Sequence, residues 1–366
     1  MISKEIPNLN LIFLKGWYFM NQATEIRIPY EKLELWCKKI LAESGMDSEE
    51  VDTVVKVLLA ANLRGTDTHG INMIPSYASR YKAIEHRQIQ VVEDKGAGCV
   101  IDGGNHTGQM TSMFALKTAM EKADKYGLGL ALVKESCHNG AEGYYTSIAA
   151  EKGYIAMAAT TVMPLLAPWG GLEPFVGNNP YAISFPYKKM PIVLDVANTV
   201  TARQKIFYYA REGWKLPDGW AMDKDGNPTN DPQEAINGLL MPVGGHKGVG
   251  LALMIDIILG TLSGGTYSRA ICANTVTDRA QHIAHLFFVM NPDFYMSREG
   301  LDANIEQYVA DFKNVRKKND VPELLLPGEL EWKKAQERMA NGIPVSTAII
   351  NELNAYADKI GMEHLA

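Results

Sequence analysis

Apolar positions along the chain fall into distinct textures, and their order sketches the fold. From Tyr30 to Glu43, and again from Asp47 or Ser48 to Gly65, they repeat at helical spacing; Val51, Val54, Val55, Leu58 and Leu59 line one face of the second stretch. Asp47 or Ser48 serves as its cap, Glu49 and Glu50 suit its first turn, and Gly65 marks its end. The texture then changes. "CVIDGG" reads as a strand, Gln109 to Tyr126 as a helix, "LALVKE" as a strand, Ala141 to Lys152 as a helix and "YIAMAATT" as a strand. Such alternation predicts a sheet covered by helices.

Beyond the last of these strands the chain is dense in Gly, Pro and Asn: "PLLAPWGG", "GNNP", "DKDGNPTNDP" and "PVGGHKGVG". Loops of this kind on a rigid scaffold often face ligands. "GHKGVGLALMIDIILGTLSG" opens as a glycine loop and continues as an apolar helix too interrupted to cross a membrane, and helical spacing returns from Ser297. The expected organisation is an N-terminal extension over 1–20, a helical subdomain built from 21–85 with 300–366, and an α/β domain for cofactor and substrate over 86–299. No internal repeat or low-complexity tract interrupts it.

Composition narrows the partners. The 366 residues hold 36 Lys plus Arg against 42 Asp plus Glu, a net charge of −6, so no polycationic face for nucleic acid or a membrane surface is expected. A small molecule is the expected partner. Cys37, Cys99, Cys137 and Cys272 form no Cys-x-x-Cys pair, which points to a reducing cytoplasm without a disulfide framework or cysteine zinc site. The apolar stretch Leu11–Leu14 is broken by Lys15 and Gly16 with no small-residue cleavage site after it, so neither a signal peptide nor a span is expected.

Gly127-Leu-Gly129 and Gly248-Val-Gly250 each lack the third glycine of a dinucleotide fingerprint, and Gly248 follows Lys247 where a P-loop needs Ser or Thr. A Rossmann half is not supported. "DKDGNPTNDP" imitates an EF-hand start, but its glycine comes early and the distal Glu is missing, which leaves a solvated Asx-type turn. His282 and His285 sit in a strand-like run, where a spacing of three sends the rings to opposite faces; a structural role follows, and no metal site is expected. Neighbours Cys137 and His138 make a poor nucleophile pair, because adjacent side chains rarely point at one another.

His69 lies in "RGTDTHGIN" just past a helix end, and His138 in "SCHNG" just before a helix. A helix N-terminus disfavours a nearby cation, so the His138 ring should stay neutral and able to take a proton. Each alone reads more often as a capping or packed residue. Lys247 is flanked by Gly244, Gly245, Gly248 and Gly250, which permits close approach to a ligand or simply a flexible turn.

Seven motifs change this picture: "RGTDTHGIN", "SCHNGAEGYYTSIAAEKGYIAMA", "APWGGLEPFVGNNPYAISFP", "IVLDVANT", "LPDGWAMDKDGNPTNDP", "GGHKGVGLALMIDIILGTLSG" and "LLLPGE", in this order from Arg64 to Glu329. Together they resemble the malate/L-lactate dehydrogenase family of non-Rossmann NAD(P)-dependent oxidoreductases, which includes malate, ureidoglycolate, sulfolactate and diketogulonate enzymes. The resemblance implies a three-layer α/β/α unit with a mixed, largely non-Rossmann sheet, a helical subdomain formed by both termini, and homodimers. It implies transfer of a hydride between NAD, or NADP, and a small 2-keto or 2-hydroxy acid, with malate/oxaloacetate the leading pair. Another family substrate (lactate, ureidoglycolate, sulfolactate or diketogulonate), reduction of cyclic imines and a catalytically silent nucleotide-binding dimer are the alternatives. By motif, His138 matches the proton acceptor of ureidoglycolate dehydrogenases and His69 the proton donor of diketogulonate reductases. The resemblance further places Thr68, Arg64, Tyr77 and Lys247 at substrate, and Asp195, Val196, Ala197, His246, Lys247, Gly328, Glu329, Leu330 and Asn179 at cofactor. Two departures bear on substrate: Met73 stands where many relatives carry an Arg, leaving Arg64, Arg80 or Lys247 to hold a carboxylate, and Val162 and Met163 replace a polar loop. "GNNP" also stands for "GTNP", at Asn178.

Overall fold

The computed structural model describes residues 25–365; the expected extension over 1–20 lies outside them. Strand β1 (Glu25–Ile28) precedes three helices, α1 (Tyr30–Ala42), α2 (Ser48–Arg64) and α3 (Ile74–Ala83). Asp47 caps α2 by accepting the Glu50 N–H at 2.8 Å, and Gly65 closes it at a φ of 81°. At the other end of the chain come α9 (Arg298–Lys313), α10 (Glu329–Asn341), β12 (Ile343–Ser346) and α11 (Thr347–Ile360). β1 pairs antiparallel with β12, Glu25 opposite Ser346, so the two ends fold together. One apolar core joins them: Leu33, Trp36, Leu58 and Ile74 from the start pack with Val345, Ile350 and Leu353 from the end. The helix α9 supplies none of its residues; Arg298 at its start instead donates to the Gly153 carbonyl at 2.8 Å.

Between these ends lies a seven-stranded sheet. Its strands are β2 (Gln90–Lys95), β3 (Gly98–Asp102), β4 (Leu128–Ser136), β5 (Ile155–Thr160), β6 (Tyr181–Phe185), β7 (Ile192–Val196) and β11 (Ile283–Met290), in the order β2-β3-β4-β11-β5-β6-β7. The β3–β4 pair is parallel and every other pair antiparallel, unlike a doubly wound nucleotide fold. Helices α4 (Gly108–Tyr126) and α5 (Glu142–Glu151) cover one face, where Leu116, Tyr145, Phe287 and Val289 form a second core. The other face receives α8 (His246–Asp256) and the π-turn Ile257–Leu262, with Ile255 and Leu259 packed on Ala159 and Ala284. The fold is therefore three-layered, mixed and non-Rossmann. A small subassembly of α6 (Arg203–Glu212), β8 (Ala221–Met222), β9 (Pro228–Thr229), α7 (Pro232–Ile236) and β10 (Leu239–Leu240) has its own core around Leu166, Val176 and Leu216. Within it Asp223 Oδ1 accepts the Asp225 and Asn227 N–H groups at 2.9 Å, an Asx turn.

Two irregularities aim the chain at the site. Ile283 faces Ser136 whereas His285 faces Val133, so β4 carries one more residue than β11 there, and Glu135 takes a φ of 53°. This bulge turns Ser136–His138 out of the sheet. At Gly108, which opens α4, an added Cβ would lie 2.1 Å from the Cys137 carbonyl oxygen, so only glycine lets α4 start against that loop.

Phe287 lies in the central strand, fully buried between sheet and helices. Truncating it to Ala should cost about 3–5 kcal/mol in denaturant unfolding; a loss under about 1 kcal/mol would contradict this core.

Candidate active site

His138 is reached by three segments distant in sequence. Its Nδ1 lies 2.6 Å from the Tyr77 hydroxyl on α3, its backbone N–H donates to Gln281 Oε1 at 2.9 Å, and its ring stacks on His69 at 5.6 Å between centroids. His69 stands on a short 3-10 turn, Asp67–His69, after the Gly65 cap of α2. Asp67 holds that turn: it takes Arg338 of α10 through both carboxylate oxygens, at 2.7 and 3.2 Å, and Asn62 Nδ2 at 2.9 Å. Asn62 Oδ1 in turn accepts the Ile71 N–H, and a Cβ at Gly70 would lie 2.1 Å from that oxygen. Thr68, exposed, places its hydroxyl 3.0 Å from His69 Nδ1. An ion pair from the C-terminal part of the chain thus fixes the first histidine.

Both rings are neutral. Burial lowers His138 well below the usual imidazole range, and the neighbouring His69, His285 and Arg80 push the same way; burial also lowers His69. Three residues, 139–141, separate His138 from the start of α5, and desolvation rather than the helix N-terminus is the larger cause. Cys137 is no nucleophile, since burial raises its thiol to about 11. His285 is a scaffold residue: fully buried, it bonds the Thr160 and Ser136 hydroxyls at 2.8 and 2.9 Å, and burial drops it to about 3. His282 pairs instead with Glu135 at 2.7 Å.

A loop from 272 to 276 and Gln281 complete the clamp. Gln281 donates to Asn274 Oδ1 at 2.5 Å, and Arg80 Nη2 donates to the carbonyls of Ala273, Asn274 and Val276 at 3.2, 3.0 and 2.6 Å. No motif in the sequence marks Gln281; its role depends on a partner 143 positions away. Of the three cations weighed for a carboxylate, Arg80 lines the cavity beside His138, while Arg64 reaches Ser147 Oγ at 3.5 Å near Asp195 and Lys247 is exposed at the start of α8. Met73 packs against the helical core.

The stretches assigned to cofactor gather at the end of β7. Asp195 Oδ2 accepts the Gly143 N–H at 2.8 Å, tying β7 to the loop that carries His138. Burial raises the Asp195 carboxyl, with Gly143 and Arg64 opposing. The Pro327 carbonyl accepts the Val193 N–H at 3.0 Å, and a Cβ on Gly328 would lie 2.9 Å from Val193 O, which sets Gly328 against β7 two residues before Asp195. Val243 N–H donates to Asn198 O at 3.0 Å, so the loop leading to His246 and Lys247 joins them. Glycine-lined backbone, an α-helix N-terminus and a lysine suit a dinucleotide phosphate. Two assigned side chains are otherwise engaged. Asn179 bonds Val162 N and Ala252 O at 2.9 Å each, and Glu329 takes Lys313 at 2.5 Å and Leu326 N at 2.9 Å.

A model of the malate/L-lactate dehydrogenase family matches residues 28–354. The chain belongs to this family. It is 33% identical over 365 residues to a malate dehydrogenase of Pyrococcus horikoshii, covering 97% of this chain and 100% of that one. Its fold matches the sulfolactate dehydrogenase of Methanocaldococcus jannaschii with a TM-score of 0.86 at 30% identity, covering 92% of this chain and 98% of that one. The delta1-piperideine-2-carboxylate reductase of Pseudomonas syringae superposes with a TM-score of 0.81 at 27% identity, over 91% of this chain and 100% of the other. In this malate/L-lactate dehydrogenase family member the histidine clamp and the end of β7 are joined by residues 137–143, the loop that carries His138 and the first turn of α5.

The scaffold role of His285 has a signed consequence. Folded, it stays neutral down to about pH 3; unfolded, it protonates near 6.5, so stability is full above pH 6.5 and falls as pH drops toward 3. The His285→Gln variant should lack that slope, flattening the decline by about 1.4 kcal/mol per pH unit between pH 6 and 4. Equal slopes in denaturant titrations of the two proteins would disprove it.

Proposed function

We propose that this chain is a nicotinamide-dependent dehydrogenase interconverting a small 2-hydroxy acid and its 2-keto acid, with malate and oxaloacetate as substrates and NAD as cofactor. The observation that carries this reading is a neutral His138, held by Tyr77 and stacked on His69, on the loop that also bonds the β7 cradle. Nicotinamide, when bound, accepts the two electrons and the hydrogen of the substrate C–H bond. With Nδ1 engaged by Tyr77, His138 presents Nε2 to the substrate hydroxyl and takes its proton. In reduction the same nitrogen returns the proton to the carbonyl oxygen. His69, neutral and stacked alongside, orients the substrate oxygen and limits water around it. The near full-length likeness to a malate dehydrogenase supports malate. The loss of Arg at Met73 makes substrate choice the point to measure.

Purified protein is to be assayed with NADH and NADPH against oxaloacetate, pyruvate, sulfopyruvate and a cyclic imine carboxylate. Turnover should be fastest with NADH and oxaloacetate, and no oxidation of either cofactor by any acceptor would reject the reading. His138→Ala should lower kcat by about two decades or more with cofactor affinity kept; an unchanged kcat removes His138 from the chemistry.

The same family membership supports a homodimer, and the surface has a face for it. Leu251, Met254, Ile257, Ile258 and Leu262 form an exposed apolar stripe along α8 and its π-turn, with Leu262 64% exposed. Analytical ultracentrifugation should show a dimer that Met254→Glu converts to monomer; a monomeric wild type would sink this assignment.

A further inference from the structure

Beside His138 lies a small cavity whose wall includes Tyr77, Arg80, Asn105, Gln109 and Cys137. Four polar side-chain atoms of this wall are buried with no hydrogen-bond partner among the described residues: Arg80 Nε, Gln109 Nε2, Gln109 Oε1 and Asn105 Oδ1. Arg80 and Gln109 are 3% and 0% exposed, so bulk solvent cannot satisfy them. Leaving such groups unpaired costs about 1–3 kcal/mol each. Donors and acceptors converge here on a space the size of a water molecule, and water offers both functions at once.

Tyr77 stands on the same wall. Gln109 Oε1 and Asn105 Oδ1 are buried acceptors without partners, and a bound water adds its own lone pairs. The Tyr77 hydroxyl, which also lies by the Gln109 amide, has a hydrogen to give to them. A Tyr77 that donates into the cavity meets His138 Nδ1 with its oxygen lone pair, so Nδ1 must carry the hydrogen across the 2.6 Å contact. The ring then has a bare Nε2. If Tyr77 donated to Nδ1 instead, Nε2 would hold the hydrogen and could not accept another.

We propose that an ordered water bound by Arg80, Gln109 and Asn105 turns the Tyr77 hydroxyl into the cavity and thereby sets His138 in the Nδ1–H tautomer, making Gln109 a positioning residue. The catalytic meaning of this tautomer rests on the dehydrogenase reading; the tautomer itself does not. Burial of the phenol, which raises Tyr77 well above its ordinary value, keeps that hydroxyl a proton donor throughout. Gln109 acts on His138 only through Tyr77, with which it shares the cavity wall.

Nitrogen-15 NMR of histidine-labelled protein, free of substrate, reads the tautomer directly, with His138→Gln identifying the signal. The wild type should show protonated Nδ1 and bare Nε2; a protonated Nε2 in the wild type overturns the proposal whatever the activity. Gln109→Leu, close in volume, should raise the Nε2–H population severalfold and lower kcat about tenfold with the cofactor Kd unchanged. Gln109→Glu, which keeps an acceptor in the cavity, should stay near the wild-type tautomer. Unaltered nitrogen shifts in Gln109→Leu, or a high-resolution crystal structure with a dry cavity, would also overturn it. A wild type with the expected tautomer but no turnover on any 2-hydroxy acid sinks the dehydrogenase reading alone.

Discussion

Desolvation of one imidazole is the constraint around which this site is organised. An ionised His138 would have to share its surroundings with His69, His285 and Arg80, so the folded protein holds it neutral. A neutral ring has one donor and one acceptor, and only its surroundings decide which nitrogen is which. Tyr77 takes Nδ1, Gln281 takes the backbone N–H, and the stacked His69 limits how the ring can tilt. The bulge at Glu135 delivers the residue to this clamp, and the fully buried His285 beneath anchors the turn through Ser136 and the Cys137 carbonyl.

The architecture bears on where the proposed cofactor would sit in a non-Rossmann fold. A mostly antiparallel sheet offers no row of parallel strand ends, and the proposed cradle lies where β7, the loop before α10 and the start of α8 meet. Gly143 joins this cradle to the histidine loop through a single hydrogen bond to Asp195. The proposed catalytic and cofactor regions are thereby joined by one short segment, 137–143. The terminal helices serve the same end: Arg338 reaches from α10 to Asp67 and fixes the turn that carries His69.

Local patterns made the element order readable. The spacing of Val51, Val54, Val55, Leu58 and Leu59, the cap at Asp47 and the stop at Gly65 specify α2, and the apolar runs around Val100, Leu132 and Ala158 specify strands. Motifs in register carried the family and with it the two histidines. Less legible was the cause of their state. Proximity to a helix start suggested a dipole effect, yet the larger cause is burial among residues from other elements. Asn179 and Glu329 illustrate the same limit: no motif shows that their side chains hold the scaffold, Asn179 through Val162 and Ala252 and Glu329 through Lys313 and Leu326.

What the sequence determined alone was everything set by near neighbours: helix and strand periodicity, caps, glycine turns, and a charge balance unsuited to polyanions. What tertiary structure decided were the pairings across long separations. His138 with Gln281, Tyr77 with His138 and Arg338 with Asp67 join positions 61 to 271 residues apart, and the cavity between Arg80, Asn105 and Gln109 follows no motif. Such contacts leave no periodic trace along the chain, because they arise only when separately formed faces bury one another and their polar groups must find partners there.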